Sequence, residues 1–490
     1  MTATAASEPA PPRSLRDQVR SAVIWRSGTQ IFSQLVAWAS TFLVIRILSP
    51  EDYGLFAMTS VVLVLLGLVN GYGFANAVIA DRDGGDGQLR QLFGLLIVIN
   101  VALAAVQFSA APFVADYYGQ PRVADLLRVQ ALIYLTNPFL ALGYTVLSRQ
   151  MDFRRQAQVN MASAFISAVA ALAGALAGLG VWTLIVAPLA GFVSRAAGML
   201  IAARMFIWPS FDFRGSKALA SYGSVAMIGQ LCWFIQTQAD IVIAGRALPA
   251  HELGLYTTSL FLAQLFVNKV VPPLNEVAFS AYAKVQDDPA AVSEGFLKSV
   301  RVIMLLAVPF CLGLASVAEP ALHVMLGEKW LPAAPIVEVL ALAMPFMTLH
   351  VLFAPATSAV GRPGIATRSA ILGAAIMPLA FWLGVSADGG RGIAWGWLIG
   401  YPVLTFVSAL WALPVIGVKM AQLGRAVLPP VMAGAAMALV VLALDRVVAD
   451  LSPLPRLVLL VAAGGAAYGL WLLAFARDRL LELRMLAKRG

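Results

Sequence analysis

Residues Gly254–Asp288 read GLYTTSLFLAQLFVNKVVPPLNEVAFSAYAKVQDD. An apolar helix begins at Gly254 and carries one cation, Lys269, in its interior, before Pro272 and Pro273 break the backbone hydrogen-bond ladder. Glu276 follows seven residues after Lys269, so helical spacing sets the two on one face. A charge inside a membrane span costs about 2.5 kcal/mol or more, and it normally faces a bundle interior or a water-filled cavity. A broken helix is tolerated only where other helices or a cavity satisfy the freed backbone groups. The stretch therefore predicts an interior polar path through a membrane protein.

Composition agrees. The chain has 490 residues, 60% hydrophobic and 12% charged, with a mean hydropathy of +0.83, whereas soluble domains carry about 25% charged residues. This is the composition of an all-α integral membrane protein. The net charge of +9 is spread over short loops and the two ends. That pattern orients spans and gives no stripe for nucleic acid. Cys232 and Cys311 lie within apolar stretches, and His251, His323 and His350 lack metal-ligand spacing, so neither a disulfide framework nor a metal site is expected. There is no phosphate-binding glycine loop, and no cofactor is implied. Residues 1–20 are Ala/Pro/Ser-rich, then basic at Arg13, Arg16 and Arg20, without the apolar core of a signal peptide. They read as a cytoplasmic tail.

Fourteen apolar segments reach the roughly 20 residues needed to cross a bilayer: 26–48, 54–78, 90–114, 124–147, 158–179, 181–206, 218–245, 254–282, 297–318, 333–357, 366–387, 390–416, 426–448 and 456–476. Only Gly180 and its neighbours join the fifth to the sixth, which implies a tight hairpin. With the N-terminus inside, inner segments hold 24 of the 34 Lys and Arg residues and outer segments 8, with Arg195 and Lys269 left within spans. This asymmetry places both termini in the cytoplasm. No loop is long enough for a folded domain outside the membrane.

An internal repeat narrows the architecture. Residues 46–56, RILSPEDYGLF, match residues 246–256, RALPAHELGLY, at an offset of 200 without a gap. Arg46/Arg246, Leu48/Leu248, Gly54/Gly254 and Leu55/Leu255 are identical, and Gln30/Gln230 and Leu65/Leu265 extend the match. Both copies fall on the same side, so the halves are parallel repeats, an architecture of alternating-access transporters with the site between them. The expected organisation is a tail (1–20), a six-helix lobe (21–210), a second six-helix lobe (211–420) related by a pseudo-two-fold axis, and two further helices with a basic tail (421–490).

The turn SPEDYGLF (Ser49–Phe56), GYGFANAVI (Gly71–Ile79), MDFRR (Met151–Arg155), VPPLNEVAFSAYAKVQDD (Val271–Asp288) and GEKW (Gly327–Trp330) carry a family resemblance. The chain resembles the Wzx-type flippases of lipid-linked oligosaccharides, within the multidrug/oligosaccharidyl-lipid/polysaccharide exporter superfamily. The resemblance implies two six-helix lobes plus two helices and a cationic central cavity. It also implies transfer of an undecaprenyl-diphosphate-linked repeat unit toward the periplasm across a bacterial inner membrane. In the related lipid II flippases, arginines and an aspartate line the first helix. Here the corresponding positions are Gln34, Ser40 and Thr41, so any cationic character must come from elsewhere.

Lys269 is the first candidate. It either meets the diphosphate of the substrate or pairs with Glu276 or Asp240 to hold helices together. Asp240, in FIQTQADIVIAGR, is a candidate ion-coupling carboxylate or an interfacial residue near the outer end. Glu276 is a second coupling candidate, with counter-ion and helix-end roles as alternatives. Arg26 opens the first span and could receive the diphosphate, or serve as an ordinary positive-inside anchor. Arg195 reads as snorkelling to the interface. Gln30, Gln34, Asn70 and Asn268 are polar span residues that could bind sugar hydroxyls, although interhelical hydrogen bonds explain such residues equally well. Trp208, Trp330, Trp395 and Trp397 read as interface anchors.

The resulting reading is a monomeric, non-enzymatic flippase of a lipid-linked oligosaccharide that works with membrane lipid, a polysaccharide polymerase and a chain-length regulator as partners. An ion-coupled small-molecule antiporter of the same superfamily and a membrane polysaccharide polymerase are the alternatives. Cationic drugs favour an acidic cavity, and a polymerase needs catalytic groups gathered on a long outer loop.

Overall fold

Local chemistry sets where the helices begin and end. Ser49 caps Pro50–Gly67: its Oγ accepts the amide of Asp52 at 3.3 Å, and Asp52 Oδ2 accepts the amide of Ser49 at 2.9 Å. Pro50, with no N–H to satisfy, takes the first helical position. Asp288, the last residue of the VPP…AKVQDD motif, accepts the amides of Ala290 and Ala291 and so starts Pro289–Ser316.

The computed structural model describes residues 33–68, 86–204, 207–212 and 224–477, which are mostly helical, with no strand among them. Each of the fourteen apolar segments coincides with helix over its described residues, and the chain is a multi-pass, all-α membrane protein. Ten of the described helices are long and apolar enough to span a bilayer, so length and apolarity alone do not establish the count of fourteen. Gly364–Ile416 counts once although Asp388 (φ −153°, ψ 41°) and Gly389 (φ 51°, ψ −132°) leave helical geometry between the eleventh and twelfth segments. Residues 250–284 are divided into three short helices, and Ser224–Ala247 is diluted by Gln230, Gln236, Gln238 and Asp240.

Contacts divide the chain into two units. The first comprises Met1–Val44, Asn70–Ser109 and Arg128–Leu219. Its core gathers Leu92, Phe93, Leu96, Leu142, Leu147 and Met199. Asn137 Nδ2 donates to Asn100 Oδ1 at 3.2 Å in this unit, and Asn100 Nδ2 donates to Leu96 O at 2.9 Å. Gly178 (φ 74°) and Gly180 (φ 54°) turn Phe153–Leu176 back into Trp182–Ala203, the expected tight hairpin.

The second unit comprises Ile45–Val69, Ala110–Leu127 and Ala220–Gly490, and the two repeated turns meet inside it. A Cβ on Gly54 would lie 1.8 Å from the carbonyl oxygen of Ala250, and one on Gly254 would lie 1.7 Å from that of Pro50. Pro50 and Ala250 stand at the same offset of 200 as the glycines. The contact is therefore reciprocal, as a two-fold axis requires. The repeated arginines behave alike: Arg46 donates to Val324 O at 3.1 Å and Arg246 to Tyr117 O at 2.6 Å, each reaching the other repeat.

The GEKW motif secures the same region. Lys329 Nζ donates to Ile47 O at 2.8 Å, and Trp330 Nε1 donates to Ile45 O at 3.0 Å. Both satisfy carbonyls that the end of Ser33–Ile47 leaves without helical donors. Trp330 and Trp397 are fully buried and are not interface anchors, because each indole N–H has an acceptor inside the protein. Trp208 is exposed. The last two helices, Met420–Val447 and Pro453–Phe475, pack Met437, Val441 and Leu460 against Val317 and Ala321. Tyr468 also donates to Leu305 O at 2.9 Å.

Candidate functional site

The helix that was expected to run unbroken from Gly254 to the proline pair is three helices: Ala250–Ala263, Leu265–Lys269 and Val271–Lys284. Breaks fall at Gln264 (φ −82°, ψ −1°) and Val270 (φ −97°, ψ −41°). Pro272 and Pro273 open the third helix instead of interrupting one. Having no N–H, they offer no donor to the carbonyls of Asn268 and Lys269. Lys269 ends the five-residue middle helix, and its side chain is exposed. Asn268 is exposed beside it and donates to Gln264 Oε1 at 3.3 Å.

Glu276 is also exposed, and no ion pair joins it to Lys269 among the described residues. Val270, between the two helices that carry them, keeps right-handed helical dihedrals (φ −97°, ψ −41°). Asn275, next to Glu276, donates to Val351 O at 3.2 Å and pins the third helix to its neighbour.

Asp240 occupies a different environment. It is fully buried, and no Lys or Arg among the described residues is a hydrogen-bond partner of it. Tyr256 Oη donates to its Oδ2 at 2.6 Å, and the Ile241 amide donates to its Oδ1 at 2.8 Å. Trp397 Nε1 in turn donates to Tyr256 Oη at 2.8 Å. The indole stacks on Tyr401 at 5.1 Å and 7°, and Tyr401 accepts from Gln236 at 3.3 Å. Gly373 makes room for that amide, since a Cβ there would lie 2.1 Å from Gln236 Oε1. Three helices thus supply a polar nest in an apolar core, in which both Asp240 oxygens have donors and Gln236 Oε1 is buried without a hydrogen-bond partner among the described residues.

Of the remaining sequence candidates, Gln34 is half-buried in the first unit. Arg26, Gln30 and Asn70 lie outside the described residues. Arg195 lines a cavity in the first unit together with Gln156, Asn160, Ser163 and Ser167. Sequence reasoning passed over those four, although their helical spacing along one span was the available signal. Tyr256 and Trp397 were missed because only folding brings them to Asp240.

Residues 43–335 match the sequence pattern of a family described as polysaccharide biosynthesis protein. The succinoglycan biosynthesis transport protein ExoT of Rhizobium meliloti is 28% identical over 368 residues, which cover 75% of this chain and 74% of that one. Among solved structures, the lipid II flippase MurJ in an inward closed conformation superposes with a TM-score of 0.70 at 13% identity, covering 93% of this chain and all of MurJ. An inward-facing multidrug transporter of the MATE family gives 0.62 at 14% identity, covering 82% and 99%. The fold is that of these transporters.

Proposed function

We propose a function from one premise: the chain belongs to the polysaccharide biosynthesis protein family. In this reading it is a flippase. It moves an undecaprenyl-diphosphate-linked oligosaccharide repeat unit from the cytoplasmic to the periplasmic leaflet of a bacterial inner membrane, for exopolysaccharide or lipopolysaccharide assembly. It is no enzyme, works as a monomer with both termini in the cytoplasm, and hands its cargo to a polymerase and a chain-length regulator.

Lys269 is the observation that supports this best. It is a span cation at a helix break, exposed, and without a carboxylate partner among the described residues. Such a charge is available to an anionic partner. Asn268 stands beside it as a sugar-binding neighbour, and Arg26, Gln30, Gln34 and Asn70 complete the proposed substrate set. Two six-helix lobes rock to change which side is open.

The antiporter alternative would take an organic cation to a carboxylate. Asp240 is the buried candidate, but Tyr256 and Ile241 already occupy both of its oxygens. The nest suits a proton or a small cation, so Asp240 is assigned to coupling, with Glu276 as the second coupling candidate. Deleting the gene tests the function: polymer is lost and repeat units accumulate on the cytoplasmic leaflet. Intact polymer with altered drug tolerance supports the antiporter.

A further inference from the structure

A cavity of about 580 Å³ lies inside the first unit, lined from the Ser33–Ile47, Leu132–Arg149, Phe153–Leu176 and Trp182–Ala203 helices. Pockets for small organic ligands span roughly 300–1,000 Å³. Gln156, Asn160, Ser163 and Ser167 form one polar stripe along a single helix face. Such a stripe in a span is unfavourable against lipid, and it fits a wall that meets a polar ligand or water. Arg195 is the one charged residue among the described lining residues, and Tyr144, Phe153 and Phe192 add aromatic surface.

Most of the stripe already has partners. Ser163 Oγ donates to Val159 O at 2.5 Å and Ser167 Oγ to Ala187 O at 3.0 Å. Gln156 Nε2 donates to Ser148 Oγ at 2.8 Å and to Tyr144 O at 3.3 Å. Two atoms differ. Arg195 Nε and Asn160 Oδ1 are shut away from solvent and have no hydrogen-bond partner among the described residues. Each costs free energy in the resting fold. The Nη groups of Arg195 are not sealed in this way, and they are the cationic donors suited to a phosphoryl oxygen in the cavity. The Nδ2 of Asn160 is likewise not sealed and is a neutral donor, suited to a hydroxyl oxygen. The aromatic rings suit the apolar face of a sugar ring.

The geometry points to a subsite for a sugar joined to a phosphoryl group, with Arg195 on the phosphoryl oxygen and Asn160 on a sugar hydroxyl. The assignment rests on the flippase reading and adds to it a second cation besides Lys269, together with a residue that reads the saccharide. The same phosphoryl chemistry occurs in bulk anionic phospholipid, so the test must separate the two sources.

Purified full-length protein in detergent is titrated with three probes: a short-chain polyprenyl diphosphate bearing a disaccharide, the sugar-free polyprenyl diphosphate, and phosphatidylglycerol. The wild type should bind the glycosylated probe most tightly. Arg195→Gln should weaken both diphosphates about tenfold or more, the loss of a charge-assisted hydrogen bond, and Arg195→Lys should recover part of it. Asn160→Leu should weaken the glycosylated probe about fivefold and leave the sugar-free one unchanged. If wild type binds the glycosylated probe while the Arg195→Gln and well-folded Asn160→Leu proteins bind within about twofold of it, the subsite is wrong and the flippase reading stands. Equal binding of phosphatidylglycerol also overturns the subsite. Failure of wild type to bind the glycosylated probe at all overturns the flippase reading itself.

Discussion

The Asp240 nest and the Arg195 cavity treat their charged groups differently. Around Asp240 both carboxylate oxygens have donors, and the donor Tyr256 is itself held by Trp397. Around Arg195, a guanidinium N–H and an amide oxygen are buried without partners among the described residues. Gln236 Oε1, in the nest, is also buried without a partner among the described residues, so the contrast lies in the charged groups: the Asp240 carboxylate is paired at both oxygens, and the Arg195 Nε is not paired among the described residues. The repeat explains neither cluster. At the offset of 200, Asp240 faces Ser40, Tyr256 faces Phe56 and Arg195 faces Trp395. The repeat supplies the scaffold, and each half carries its own polar chemistry.

Substitutions test that contrast, beginning with the contact between the repeated turns in the second unit. Gly254→Ala forces a Cβ to 1.7 Å from the Pro50 carbonyl oxygen, where backbone meets backbone and no side chain can yield. It should cost about 4 kcal/mol or more and remove most folded protein from size-exclusion profiles. Gly313→Ala, whose nearest neighbour is the flexible end of Met437 at 3.6 Å, is the control that should remain folded.

Within the nest, Tyr256→Phe strands both Asp240 Oδ2 and the Trp397 N–H. About 2 kcal/mol of stability should be lost, read as a lower unfolding midpoint. Asp240→Asn keeps an acceptor for Tyr256 and removes the charge. It should lose only about 1 kcal/mol, while transport loses its dependence on an ion gradient in vesicles. Unchanged gradient dependence in both Asp240→Asn and Glu276→Gln would remove the coupling role. In the cavity, Arg195→Gln should shift stability by no more than about 0.5 kcal/mol and still reduce transport. Stability loss on the scale of Tyr256→Phe would erase the distinction between the two clusters.

Much of the fold was legible because it depends on local or periodic signals. Composition marks the membrane class, Gly180 and its neighbours mark the hairpin, and the offset of 200 pairs Gly54 with Gly254 before any contact is known. The sites were less legible. The spacing of Lys269 and Glu276 offers an ion pair, and none joins them among the described residues. Asp240 reads from sequence as a charge in a span, but its partner Tyr256 and the Trp397 that holds Tyr256 lie 16 and 157 positions further along the chain. Arg195 looked like a snorkelling residue because nothing local reveals the cavity it lines. The stripe at 156, 160, 163 and 167 was readable as spacing, yet alanines and valines between its members mask it.

The account stands most directly on Lys269 meeting the diphosphate of a lipid-linked saccharide. The decisive measurement is polysaccharide output together with the leaflet distribution of lipid-linked repeat units, in cells expressing Lys269→Ala at normal membrane levels. Lost polymer, with repeat units trapped on the cytoplasmic leaflet, is the expected result. Normal polymer with no accumulation would contradict it and leave Lys269 a structural residue at a helix break.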